Sequence, residues 1–169
     1  MSYKIILYLT PTTAAQENVF LFLEGKKALA AEFTELEASH LKDVKKVMDY
    51  ADYILYVLLL GVTLVITYFW KKKDFVLKLL NDGGKAAIAA MIVVSAFSLL
   101  FFDLLFALFH KIFFPQGNWI FSPDSLIIQT FPLEFFMIIS RNIFLVTLFL
   151  GILFILLGYY LDYVLRHRN

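Results

Sequence analysis

The stretch IISRNIFLVTLFLGILFILLGYY, Ile138 to Tyr160, carries one charge, Arg141, near its start, and then runs apolar to its end. A run of this kind exceeds the roughly 18 residues needed to cross the hydrocarbon core of a bilayer as a helix. Two further stretches, Tyr53 to Trp70 and Ala86 to Phe109, meet the same criterion. Of the 169 residues 61% are hydrophobic and 17% charged, with 19 Phe and 9 Tyr, more apolar surface than a soluble domain can hide. The expectation is an all-α fold: a polytopic membrane helical bundle with about three full transmembrane helices plus interfacial or re-entrant helices on the outer side. It is read as a single membrane domain over 1–169, with spans at 53–70, 86–109 and 138–160 and an outer-side loop at 111–137.

The basic residues orient these spans. KKKDFVLKLLNDGGK, between the first two, sets Lys71, Lys72, Lys73, Lys78 and Lys85 against Asp74 and Asp82. A short loop this basic reads as cytoplasmic, as does the tail LRHRN with Arg166, His167 and Arg168. The segment from Lys111 to Met137 has one lysine, one aspartate and one glutamate and falls outside, which also puts residues 1–50 on the outer side. Net charge is +1 and the basic residues form no groove-like stripe, which argues against nucleic acid as a partner. The absence of cysteine removes disulfides, thiolate metal sites and a cysteine nucleophile. An outside N-terminus bearing Lys26, Lys27, Lys42, Lys45 and Lys46 must be carried across the membrane, and Ile5 to Leu9 is too short for a signal-peptide core. Either a preceding helix lies upstream, or Tyr3 to Leu23 enters the outer leaflet and turns back.

Two outer-side histidines follow from this topology. Thr13 to Glu24 reads as a short helix stopped by Gly25, and Glu32 to Tyr50 as a second, amphipathic helix near the interface that then turns into the first span. His40 and Asp43 project from one side of it. His110 ends the second span, and Asp103 lies inside that span, where a carboxylate costs on the order of 2.5 to 3.5 kcal/mol. Asp103 and His110 share a helix face but are separated by about 10.5 Å of rise, too far to bond. Beyond His110, Pro115, Gly117, Pro123 and Pro132 break the chain. Phe113, Phe114 and Trp119 suit a loop folded against lipid headgroups, Asp124 is positioned to cap a short helix, and Arg141 to meet a carboxylate or lipid oxygen.

ELEASHLKDVKKV, followed about 70 residues later by FHKIFFPQGNWIF and SLIIQTFPLEFF, resembles the bacterial lipoprotein intramolecular transacylase family over roughly Phe22 to Arg141. The family usually carries another N-terminal membrane helix, which this sequence departs from. The resemblance implies an enzyme of the cytoplasmic membrane, acting at its outer face on a diacylated lipoprotein N-terminus. It would move the sn-2 acyl chain of the S-diacylglyceryl cysteine to that cysteine's own α-amino group, giving a lyso-form lipoprotein. By motif, the family's proposed catalytic histidines fall on His40 and His110.

The chemistry is consistent with two histidines. A free α-amino group, pKa near 8, is mostly charged at neutral pH, and an imidazole is the side chain best matched to taking its proton. The second imidazole would orient the first or return a proton to the departing glycerol oxygen. Asp43 and Asp103 are supporting candidates, and Asn118, Trp119, Arg141 or loop amides are candidate oxyanion donors. No cofactor is required. Two other readings stand beside this one: a membrane metallohydrolase holding zinc on His40, Asp43 and His110, although no HExxH arrangement is present, and a non-enzymatic transport or assembly component using Asp103 as a polar contact. Membrane lipids are expected around the aromatic run, and the oligomeric state is not legible.

Overall fold

The computed structural model describes residues 12–167. Ile5 to Leu9, which opens the expected Tyr3 to Leu23 entry into the outer leaflet, and Arg168 in the basic tail lie outside the described residues. Among those described, the elements are helical: α1 (Ala14–Leu23), α2 (Glu35–Tyr68), α3 (Lys73–Leu100), α4 (Phe102–Phe113), α5 (Leu126–Thr130) and α6 (Leu133–His167). Three of them, α2, α3 and α6, are long and apolar enough to cross a membrane. The protein is a multi-pass, all-α membrane protein.

α1 forms where its sequence signals place it. Thr13 caps it, the Gln16 amide N–H donating to its hydroxyl while the Thr13 N–H donates to the Gln16 side chain, a reciprocal capping box. Its end is a Schellman motif: Lys26 N–H reaches Leu21 O, Gly25 N–H reaches Phe22 O, and Gly25 takes φ +73°, which a side chain would strain.

The spans differ from expectation in three places. Glu35 to Tyr68 is one unbroken 34-residue helix, not an interfacial helix that turns into a span. No glycine or proline interrupts Glu35 to Leu60, so nothing halts the backbone where polarity changes. Its first half, with eight charged residues from Glu35 to Asp52, stands outside the apolar span that begins at Tyr53. The basic segment expected as a loop is mostly helix: only a turn around Phe69–Lys72 separates α2 from α3. Finally, the predicted 86–109 span ends at Leu100. Phe101 leaves helical geometry (φ −133°, ψ 33°) and α4 starts anew, so Asp103 sits in the first turn of a short helix rather than in mid-span. There the helix dipole favours a carboxylate, and Asp103 is exposed.

The described chain divides into two compact units. One comprises Met1–Leu55 with Phe101–Ser140, and its apolar core is Val19, Leu23, Leu41 and Ile127. The other comprises Tyr56–Leu100 with Arg141–Asn169. In this second unit α3 and α6 meet through small residues: a Cβ on Gly84 would lie 2.7 Å from Gly151 O, and one on Gly158 would lie 2.7 Å from the Asn81 amide nitrogen. Close backbone approach of this kind substitutes for the hydrophobic driving force that lipid removes.

Candidate active site

The first unit brings His40 and His110 together from elements 70 residues apart in sequence. Their rings lie 5.9 Å apart, stacked with 22° between planes. His40 comes from the second turn of α2, in its charged half before the apolar span, and is 7% exposed. His110 comes from the last turn of α4 and is half-buried.

Helical periodicity explains the approach from the α4 side. Phe102, Phe106 and His110 fall at four-residue spacing and form a ladder, with Phe102 5.8 Å from Phe106 and Phe106 4.0 Å from His110. The opposite side exposes Leu104, Leu108 and Ile112. After the chain turns at Gly117 (φ +78°), Trp119 packs 4.9 Å from His110. Phe114 lies 4.7 Å and Phe121 5.5 Å from His40, both edge-on. The two imidazoles therefore share an aromatic cage in which charge is poorly solvated.

Burial pushes His40 down to about 4, aided by the neighbouring His110 ring and opposed by Asn118 and Asp43. Burial likewise holds His110 below the ordinary imidazole value, against the Phe106 carbonyl. Both rings are neutral at pH 7. His110 Nδ1 sits 2.8 Å from Phe106 O, and a carbonyl can only accept, so the neutral ring carries its proton on Nδ1 and its lone pair on Nε2. His40 Nδ1 is buried with no hydrogen-bond partner among the described residues.

Asp43 does not bond His40. One oxygen accepts from Lys46 Nζ at 2.8 Å, and the other from Gln116 Nε2 at 2.7 Å and Asn118 Nδ2 at 2.8 Å. The Lys46 bond leads the causes that hold this carboxyl below the usual range, with Asn118 and Gln116 adding to it. Asp43 thus fastens the loop after His110 to α2. Asn118, 7% exposed, also donates to Ser39 Oγ at 3.2 Å. Both its amide protons are engaged, which removes its side chain from the oxyanion donors. Trp119 remains beside His110. Arg141 is exposed, donates to Asn142 Oδ1 at 3.5 Å and belongs to the second unit. Asp103 has no hydrogen bond or ion pair among the described residues, and the structure does not bring it to His110.

The ligand set of the alternative metallohydrolase reading, His40, Asp43 and His110, does not converge either. Asp43 is committed to three donors, and among the described residues no group of three His, Cys, Asp or Glu side chains is placed to hold an ion.

One residue of the cluster escapes the sequence reading. Glu37 is 2% exposed, and its carboxylate accepts from Thr34 N–H and Thr34 Oγ1, both at 2.8 Å, and from Ile127 N–H at 2.9 Å. The Thr34-x-x-Glu37 spacing is a capping-box signature that a sequence can show. Its reach to α5 is not. Asp124, expected to cap that helix, does not: Ser125 is the cap residue, its hydroxyl donating back to Ser122 O rather than capping the helix, and Asp124 offers only its carbonyl, to Gln129.

The model of the family described as lipoprotein intramolecular transacylase Lit matches residues 4–136. Two solved structures are similar along nearly the whole chain. One is the in meso structure of the membrane integral lipoprotein intramolecular transacylase Lit from Bacillus cereus, 26% identical, TM-score 0.76, covering 98% of this chain and 81% of that one. The other is a variant of the same protein with a histidine replaced by arginine, 26% identical, TM-score 0.77, covering 99% and 79%. No curated protein gives a significant match. With the family pattern extending through both histidines and the loop after His110, this chain belongs to the lipoprotein intramolecular transacylase (Lit) family.

Proposed function

We propose that this protein is an intramolecular O-to-N transacylase acting on the N-terminal S-diacylglyceryl cysteine of lipoproteins. It moves the sn-2 acyl chain to the cysteine's own α-amino group, with His40 and His110 as the catalytic pair. The observation that carries the reading is the stacked, neutral imidazole pair in an apolar cage.

In the reaction the amine nitrogen attacks the ester carbonyl, a C–N bond forms, the C–O bond to glycerol breaks, and one proton passes from nitrogen to the glycerol oxygen. His110 Nε2 bears the free lone pair and serves as base, then returns the proton to the leaving oxygen. His40 stacks against it as a neutral ring, and the poorly solvating aromatic cage that the two share disfavours the His110 imidazolium and so favours early release of its proton. Trp119 or loop amides supply donors to the developing oxyanion. Since donor and acceptor belong to one molecule, much of the rate comes from holding them together. The aromatic walls limit competing water. Basic residues between α2 and α3 support a cytoplasmic location for that end, with the histidines at the outer face of the cytoplasmic membrane.

The test is mass spectrometry of a diacylated lipopeptide incubated with purified protein. Transfer leaves the mass unchanged and blocks the N-terminus, whereas hydrolysis releases one fatty acid. His40→Ala and His110→Ala should each abolish transfer in folded protein, and substantial activity in either would overturn the assignment.

A further inference from the structure

Glu37 is a buried, ionisable group for which the reaction as written has no use. A carboxylate 2% exposed is costly unless several donors satisfy it. Here burial acts to raise its pKa, but the bonds from Ile127 and Thr34 outweigh it and hold the group below the usual carboxylate range. It is ionised, and it joins two places far apart in sequence: Thr34, where α2 starts, and Ile127, where α5 starts.

Those two places frame the His40 side of the cage. Glu37 lies three residues before His40, on the same side of α2. Ile127 packs in the core with Leu41, and Phe121 packs against that core while presenting its edge to His40 at 5.5 Å. The segment running from Phe114 to Ile127 is thus fastened twice to α2, by Asp43 through Gln116 and Asn118 and by Glu37 through Ile127. The first fastening holds the His110 end of the segment. The second holds the end that covers His40.

We propose that Glu37 is a positioning residue for the transacylase reaction: by tying Ile127 to the start of α2, it keeps Phe121 closed over His40 and so keeps that imidazole dry and stacked on His110. The inference rests on the histidine-pair reading above. The titratable groups facing His40 are His110 from α4 and Asp43 from its own helix; the loop contributes the Asn118 amide and the rings of Phe114 and Phe121.

The experiment compares full-length wild type with Glu37→Gln and Thr34→Val in lipid nanodiscs, reading kcat and KM with a diacylated lipopeptide and the NMR titration of the His40 ring. A glutamine has one acceptor oxygen in place of two; the paired Thr34 donors hold it, the NH2 group then faces the Ile127 N–H, and that link breaks. For Glu37→Gln, kcat should fall about 10- to 100-fold, as expected for a small misplacement of a reacting group. KM should change little, since Glu37 touches no substrate, and the His40 midpoint should climb from about 4 toward the ordinary imidazole value. Thr34→Val weakens the helix cap but leaves the Ile127 bond, so it should keep kcat within about threefold and the midpoint unmoved. Wild-type behaviour of Glu37→Gln in both readouts would overturn the proposal, as would an equal effect of Thr34→Val, which would reduce Glu37 to a helix cap. Should Glu37→Gln fail to fold, Glu37→Asp decides: one methylene shorter, it must lose Ile127 and show the same raised midpoint, and a wild-type midpoint would overturn the idea. If the wild type itself transfers no acyl chain, the reaction assignment fails, while the His40 midpoint still decides the coupling to Glu37.

Discussion

Replacing His40 by phenylalanine should make the protein more resistant to mild acid. In the folded state His40 titrates at about 4, and in the unfolded chain near 6.5. Above the unfolded value both states hold a neutral ring, and His40 adds no pH dependence. As the pH falls through 6.5 the unfolded chain takes up a proton that the folded one refuses, so stability drops until the folded pKa is reached. Glu37 and Asp43 are held low, so both stay ionised in either state above about pH 5 and contribute nothing in this window. Between about pH 7.5 and pH 5 the cost is about 1.5 units times 1.36 kcal/mol, or about 2 kcal/mol at most, because residual solvation of the cage reduces it. For a chain of this length that is a fall in Tm of about 4–8 °C. Phenylalanine fills the same aromatic niche without a proton to bind, so His40→Phe should keep only the smaller slope that His110 contributes in the same direction. The assay is thermal unfolding in detergent micelles, followed by circular dichroism across the pH window. Equal losses of Tm in wild type and His40→Phe would refute the claim that His40 is buried and neutral, and with it the basis for a neutral imidazole pair.

Three further outcomes follow from particular contacts. Asp43→Asn should lower kcat about tenfold, because two charge-assisted bonds to the loop weaken, each worth about 1.5–3 kcal/mol with a discount for partial exposure; lipopeptide kinetics beside a melting curve would separate this from unfolding. Asp103→Asn should leave the rate within about twofold, since the carboxylate is exposed and bonds nothing described, and a large loss in the same assay would return Asp103 to the site. Gly84→Ala should destabilise the second unit by about 1–3 kcal/mol, because the added methyl would meet Gly151 O at 2.7 Å and Ile155 Cγ1 at 2.9 Å, and a lowered Tm in micelles checks it.

The legible parts of the fold are those governed by local rules. Three apolar runs long enough to span, a threonine and a glycine bracketing α1, and a proline-rich break after His110 each have a sequence signature. Phe101 has none: a phenylalanine among phenylalanines ends one helix and begins another without a glycine or proline, which is why the sequence places Asp103 in mid-span and the structure does not. The meeting of His40 with His110 follows from topology and the family motif rather than from spacing, because rings from distant segments leave no periodic trace. Asp43 and Asn118 are legible as residues, but their partners are not, since a carboxylate three residues from a histidine gives no hint that it bonds the loop instead.

The proton count of the proposed reaction gives these contacts a common purpose. Once the amine is neutral, acyl transfer to it from an ester neither consumes nor releases a proton overall: one leaves the nitrogen and one arrives at the glycerol oxygen. A catalyst for such a step should rest uncharged, accept one proton briefly and resist keeping it. Two neutral imidazoles stacked 5.9 Å apart among phenylalanine and tryptophan rings have those properties. An aromatic cage is costly to hold shut around polar rings, since one His40 nitrogen goes unbonded inside it. The two carboxylates that could have titrated beside the histidines instead direct their hydrogen-bonding capacity outside the cage, to Ile127 and Thr34 for Glu37 and to Gln116, Asn118 and Lys46 for Asp43. A direct carboxylate bond to either imidazole would raise its pKa and trap the proton. Placing the carboxylates behind the loop secures the cage walls while leaving the imidazoles weakly basic, which is the condition that the transfer of a single proton requires.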